Sequence, residues 1–596
     1  MTVAWASRPC ARRYSGQCTG KAPVPRLGDR SMTLLQIMLP ELILVAAACA
    51  LFLIGFSSKT AARRAAAPIA LIALIGSFAW QIVQPGTEMT GLAAADEFGT
   101  FRVFSFAQYI KLLTTGIAVL FVLLSWPDRA DGRGNRSLDY GNEAGEFFAL
   151  MLLSIAGVMI VAAANDIVLL FLGLELASIP TYIMVSMSRP LPVAQEAGVK
   201  YFFLGAMSAA VMLFGFSYLY GVTGTTNLYE ISLLTLDQIR AAGEGVNHLS
   251  PWMMLALVML IAGFAFKMAV VPLHFYAGDV YQGAATPVTA LLSYVPKASG
   301  LVALLKVLFA VGGAMQWQLP PQIVQLIWVL AVLTMTVGNT LALLQTNVKR
   351  VLAYSSIAHS GYLLVGVTAL LMGQGLTREH AMIGILFYLT AYGIMNAGAF
   401  GVLMLLPSRQ GGPATTAETY EDLAGQGRRY TALGLAMAVC CFSLTGIPLT
   451  IGFFGKILLI WPAFEAGALW LVIITMINAA ISAAYYLRIV GTMFLRPEPG
   501  AEEHPASPRI EDPRFGAPAA ALEPPPRNLA VNIAIALSVA GTLLFGSVWP
   551  ATQMLHTQTM SATRLEPTMP MRFIDDENEE QEEEEEAVTT RVDVSE

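Results

Sequence analysis

ALVMLIAGFAFKMAVVPLHFYAGDVYQGAATPV, residues 256–288, decides how this chain reads. The run is apolar enough to cross a membrane, yet Lys267 lies inside it and Pro272 ends it. Proline removes a helical hydrogen bond. Backbone freed at membrane depth is tolerated only where protein or water satisfies it. A lysine beside such a break therefore marks a polar site inside a membrane. The same device recurs in LTGIPLTIGFFGKILLIW, residues 444–461. There Gly446, Pro448, Gly452 and Gly455 cut the run, and Lys456 follows.

Outward from these two stretches, the composition agrees. The 596 residues are 56% hydrophobic and only 13% charged, where soluble chains hold about 25% charged residues. Apolar runs of about twenty residues recur throughout. They give fourteen candidate spans, near 35–55, 66–84, 104–126, 146–164, 166–187, 198–221, 252–272, 286–311, 322–344, 350–372, 381–406, 432–464, 468–495 and 528–549. The fold class is therefore an all-α polytopic membrane protein. The interrupted spans are the seventh and the twelfth, and Pro296 sits inside the eighth. An offset of five reverses orientation, so spans 4–8 and 9–13 read as two inverted five-helix repeats.

The net charge of −6 comes from the ends. DDENEEQEEEEE, residues 575–586, holds ten acids, while residues 1–31 hold six bases and one acid. The body between is nearly neutral. Three domains follow: a basic extension over 1–31, a membrane domain over 32–550 and a solvated acidic tail over 551–596. Alternate loops carry Lys59, Arg63 and Arg64, then Arg129, Arg133 and Arg136, then Arg189, Lys349 with Arg350, Arg428 and Arg429. The positive-inside rule places these loops in the cytoplasm and both termini outside it, in a cell inner membrane. The basic extension conflicts with that and lacks an apolar signal region. Translation starting at Met32 resolves the conflict, and the mass of the mature N-terminus tests it. No basic stripe with interleaved aromatics points to nucleic acid. Cys10, Cys18, Cys49, Cys440 and Cys441 form no metal or redox pattern. Cys49, Cys440 and Cys441 read as small core residues.

A charge at the bilayer centre costs at least about 2.5–3.5 kcal/mol. Glu175 lies in NDIVLLFLGLELASIPTYIMV, residues 165–185. Lys297 and Lys306 lie in LLSYVPKASGLVALLKVLFAV, residues 291–311, and Lys200 opens the sixth span. Burial disfavours the charged form of each, and a nearby opposite charge favours it. Moving Glu175 relative to a lysine thus decides whether that lysine holds its proton, a switch built from Coulomb coupling. Snorkelling toward an interface is the alternative reading for each, and it weighs most for Lys306 and Lys200. His274 follows the first break and His359 follows YSSIA; both suit proton relay, and both suit a hydrogen-bonded packing role. Asp279, Tyr281 and Gln282 read as a cytoplasmic turn, and Lys349 with Arg350 as topology anchors.

KMAVVPLHFYAGDVYQGAATPVTALLSYVPKA (267–298), NVKRVLAYSSIAHSGYLLVG (347–366) and LTGIPLTIGFFGKILLI (444–460) resemble the antiporter-like membrane subunits of respiratory complex I. Lys456 and AAYYLRIV (483–490) favour the N-type branch. The resemblance implies proton translocation driven by NADH-to-quinone electron transfer in other subunits. It implies that Glu175 couples neighbouring subunits, with Lys267 its partner. Lys297 would link two half-channels, Lys456 would serve the exit half-channel, and Lys200 matches a further family lysine. It also implies that FMN, iron–sulfur clusters and quinone sit in partner subunits, with no cofactor or metal here. Subunits M and K are the expected neighbours within the bilayer. The alternatives are a subunit of a multi-subunit Mrp-type cation/proton antiporter, and a structural subunit whose lysines only pack.

Overall fold

The computed structural model describes residues 35–57, 60–83, 100–127 without 102 and 104, 143–242 without 188 and 190, 249–312, 319–408, 417–497 and 528–547, with a few isolated positions beyond. The basic extension over 1–31 and residues 560–596 of the acidic tail lie outside the described residues, as do Lys59, Arg129, Arg133, Arg136 and both N-terminal cysteines. The described residues from Pro40 onward form one compact unit.

Nineteen helices make up the described chain. They are α1 (Leu39–Gly55), α2 (Thr60–Val83), α3 (Ser105–Leu124), α4 (Ala144–Ala163), α5 (Ile167–Met187), α6 (Pro192–Thr223), α7 (Leu228–Ala242), α8 (Pro251–Lys267), α9 (Ala277–Gly283) and α10 (Thr286–Gly312). Then follow α11 (Pro321–Leu343), α12 (Val348–Met372), α13 (Leu376–Leu405), α14 (Tyr420–Leu423), α15 (Gln426–Arg429), α16 (Thr431–Thr445), α17 (Ile451–Glu465), α18 (Leu469–Phe494) and α19 (Leu529–Ser547). Eleven of these helices, among the described residues, are long and apolar enough to cross a membrane. The shorter α1, α8 and α16 are also apolar. This is a multi-pass membrane protein. The amphipathic α7 has no counterpart among the expected spans.

Local sequence sets the ends. Ser250 accepts from the Met253 N–H and Pro251 opens α8, a pairing that suits a helix start. Asn347 likewise accepts from the Arg350 N–H at the start of α12. Both expected breaks are present. After Lys267 the chain leaves the helix until Ala277, and after Thr445 until Ile451. Each break holds a non-glycine residue in the left-handed region, Ala269 at φ 56° and Leu449 at φ 72°. That conformation costs an L-residue about 1–2 kcal/mol and persists where the surroundings hold it. By contrast α10 runs unbroken through Pro296.

The four most extensive helix contacts repeat with an offset of five spans. They are α4 on α5 and α11 on α12, then α6 on α8 and α13 on α17. Helices α10, α12 and α13 lie buried on nearly all sides, while α2, α6, α11, α18 and α19 present apolar outer faces. The innermost helices are thus the ones that bear Lys297 and His359. Cys440 and Cys441 are buried, but Cys49 is exposed, against expectation, because it lies on the outward face of α1.

Candidate functional site

The first break brings Glu175 and Lys267 together. Glu175 on α5 places Oε1 2.8 Å from Lys267 Nζ. The ammonium also donates to Ser178 Oγ at 2.8 Å and Tyr182 OH at 3.4 Å, one and two turns along from Glu175 on α5. Lysine has three donors and no acceptor, so α5 offers one partner for each. Lys267 is 3% exposed, while the Glu175 side chain is 17% exposed at the rim of its helix.

Beyond Lys267 lies a small cavity, with about 10 Å³ open to the centre of a water molecule. That is near the space one water needs. Lys267 and Lys297 both line it, with Tyr201, Tyr276, Tyr281 and Pro296. Pro296 has no N–H, so it frees the carbonyl of Leu292, which lines the same cavity. The cavity thus joins two lysines on different helices.

Lys297 Nζ donates to the carbonyl and the hydroxyl of Ser356 on α12. Tyr392 OH donates to the same Ser356 hydroxyl at 2.6 Å, and Tyr281 OH stands 3.2 Å from it. Tyr281 is therefore an inward-facing group of α9 and not part of a solvent turn. One turn along α12, His359 Nδ1 lies 2.6 Å from Tyr388 OH and Nε2 lies 3.1 Å from Tyr486 OH. The Tyr392 ring bridges the two, 5.0 Å from the His359 ring.

The second break holds Lys456 in a different way. Its ammonium donates to the Leu444 and Thr445 carbonyls at 3.0 and 2.7 Å, the last carbonyls of α16. A cation suits that end of a helix, where unpaired carbonyls gather negative potential. Gly446 makes the approach possible. Its φ is +89°, and a Cβ there would stand 2.9 Å from Lys456 Cδ. Gly452 does the same for the next turn, since a Cβ there would meet the Ser443 carbonyl at 1.9 Å. Lys456 Nζ lies 4.9 Å from the Tyr362 ring, and that ring lies 5.6 Å from the His359 ring.

The remaining sequence candidates stand off this line. Lys200 is 44% exposed and pairs with Glu196 at 2.7 Å and Asp279 at 3.1 Å. Lys306 Nζ donates to the Ala164 carbonyl at 2.6 Å, at the end of α4. His274 is buried beside Phe275, and its Nδ1 has no protein partner. Lys349 departs furthest from its expected anchoring role. It is fully buried and donates to the Gln282 and Ala284 carbonyls and to Glu418. Glu418 also takes Arg189 at 2.6 Å. Burial pushes the Glu418 carboxyl up, but Lys349 and Arg189 outweigh it and hold it below the usual range.

Sequence reasoning missed the hydroxyls. Ser356 precedes His359 by three positions, and Tyr388 precedes Tyr392 by four, both same-face spacings on a helix. That spacing was the available signal. Together the groups form a buried polar line from Glu175 through Lys267, Lys297 and His359 to Lys456. Each member can gain, lose or pass a proton, and none could easily be left in hydrocarbon.

Known proteins bear on this geometry. A family model described as NADH:quinone oxidoreductase/Mrp antiporter, TM, matches residues 164–482. Subunit N of the NADH-quinone oxidoreductase from Trichlorobacter lovleyi is 38% identical over 471 residues, 79% of this chain and 89% of the relative. The corresponding subunit from Myxococcus xanthus is 36% identical over 535 residues, 86% of this chain and 94% of the relative. Among solved structures, a chain of respiratory complex I from Thermus thermophilus with bound aureothin is similar at TM-score 0.63 and 30% identity, covering 86% of this chain and 98% of that one. A chain of the Mrp complex from Dietzia sp. DQ12-45-1b reaches TM-score 0.67 at 20% identity, over 89% of this chain and 98% of that one, and shows the shared fold.

Proposed function

The chain belongs to the NADH:quinone oxidoreductase/Mrp antiporter membrane family, and from that premise we propose that it is the subunit-N-type, proton-translocating membrane-arm subunit of an NADH–quinone oxidoreductase. The observation that supports this best is the buried line joining Glu175, Lys267, Lys297, His359 and Lys456. Electron transfer between NADH and quinone belongs to partner subunits, which hold FMN and iron–sulfur clusters in this reading. Subunits M and K are the neighbours, in a cell inner membrane that the chain crosses about fourteen times. Spans 4–8 and 9–13 form inverted units, and both termini face away from the cytoplasm.

The chemistry follows from the contacts. Glu175 at 2.8 Å supplies the countercharge for the Lys267 ammonium. When a neighbouring subunit draws Glu175 away, burial favours the neutral amine, and the proton passes through the cavity toward Lys297. From there Ser356, Tyr392 and His359 offer hydroxyl and imidazole steps toward Lys456. Lys200, His274 and Lys306 would serve the mouths of this line.

The test isolates the complex by a tag on this chain. The reading requires quinone-linked NADH oxidation to co-purify with it. Sodium-dependent proton exchange in vesicles lacking NADH, with no such oxidation, would establish the Mrp-type alternative instead.

A further inference from the structure

One intramembrane charge pair takes no part in the polar line. Glu41, the third residue of α1, places Oε1 2.8 Å from Nζ of Lys111, the seventh residue of α3. Both side chains are only 3% exposed. The pair lies outside residues 164–482, the stretch that the family model matches.

A buried ion pair offsets its desolvation only when its remaining lone pairs are also satisfied. A mere pin between two helices would meet that condition. This pair does not. Beyond Lys111 and its own backbone N–H, the Glu41 carboxylate has no hydrogen-bond partner. Gln81 Oε1 and Trp80 Nε1 on α2, and Thr114 Oγ1 on α3, are buried in the same state. They lie close by. Ser77 donates to the Pro40 carbonyl, Gln81 Nε2 bonds Ser77 one turn on, and Thr114 follows Lys111 by three positions. Buried polar atoms without protein partners are where ordered water or a mobile proton supplies the bond.

Among the described residues, few other charges face the pair. Lys306 is across Phe101, whose ring lies 5.6 Å from Lys111 Nζ and whose backbone pairs with Ala164, the Lys306 acceptor. Glu146 lies against Gly55 at the other end of α1, about 21 Å along the helix. Arg64 lies about 25 Å along α2 from Gln81. Lys111 is thus the countercharge that Glu41 meets directly.

We propose that Glu41 and Lys111 form a second proton-binding site, in the three N-terminal helices and separate from the Glu175–Lys456 line. Uptake forms an O–H bond at a carboxylate oxygen of Glu41 and converts the carboxylate to the acid. Lys111 keeps its three N–H bonds and its charge throughout. Release breaks the same O–H bond and returns the proton to the water that delivered it.

The test is infrared difference spectroscopy of the purified complex in lipid, between acid and alkaline buffer. Electron transfer does not enter it, so its failure is distinct from failure of the functional reading. The wild-type spectrum is expected to contain a carboxyl C=O band that is lost in Glu41→Gln. Lys111→Met is expected to keep that band at a shifted frequency, because the hydrogen bonding of the acid changes. If Glu41→Gln fails to assemble, Glu41→Asp serves, with the band displaced and not lost. An unchanged spectrum in either Glu41 variant would show a structural pin and overturn the proposal.

Discussion

The two broken helices use one device to opposite ends. At the first break Lys267 reaches a carboxylate and two hydroxyls on a different helix. At the second, Lys456 turns back onto the last carbonyls of its own broken span. Lys267 therefore depends on where α5 stands, and an event that shifts α5 reaches it directly. Lys456 is held by backbone that moves with it, so its environment changes mainly through the charge that arrives at it. In the proposed function, one break would be switched from outside, and the other would respond to the line within.

Removing the switch should produce the largest effect. Glu175→Ala leaves Lys267 buried without its carboxylate, a loss of about 3–5 kcal/mol if the charge stays. Proton transfer per NADH oxidised, measured in closed vesicles, is expected to collapse. Normal transfer in that variant would erase the distinction between the breaks. At the second break Gly446→Ala should cost about 1–2 kcal/mol for the left-handed backbone alone, and its Cβ would also push Lys456 off its carbonyls. Thermal unfolding of the assembled complex reads that loss. At the first break Ala269→Gly should leave stability level or raised, since a left-handed residue there gains freedom from strain. Equal responses at both breaks would mean that neither turn is tuned to its lysine.

Smaller effects sharpen the contrast. Tyr281→Phe removes one hydroxyl from Ser356 and should cost about 1 kcal/mol, read as slower proton transfer with the complex intact. The smallest effect concerns Glu418, which fastens Lys349 and Arg189 beside the first break. Its carboxyl sits below the ordinary value of about 4.3. Its contribution is therefore complete above that value and disappears as pH falls through the lowered one. Glu418→Gln should flatten the acid side of the stability profile, and an unchanged acid limb would remove Glu418 from the clamp.

Much of this was legible in the sequence. Apolar length located the long helices to within several residues, eleven of the described ones being long and apolar enough to cross a membrane, and Gly446, Pro448 and Pro272 marked the breaks, because helix chemistry there is local. The lysines stood out because charge in an apolar run is conspicuous. Their partners did not. Ser356, Tyr281 and Tyr392 are ordinary residues until folding brings three helices together around Lys297. Lys349 looked like an anchor at a helix start, and only tertiary packing shows it sealed under Gln282, Ala284 and Glu418. Glu41 and Lys111 each sit near a span end, seventy positions apart, and nothing local pairs them.

In the proposed function the buried line conducts protons through Lys297, the lysine of that line that lies between Lys267 and Lys456. Its most direct test is the number of protons moved per NADH oxidised by the assembled complex bearing Lys297→Ala, in closed vesicles. The expected result is a lowered ratio while NADH oxidation persists in uncoupled vesicles. An unchanged ratio would contradict the claim.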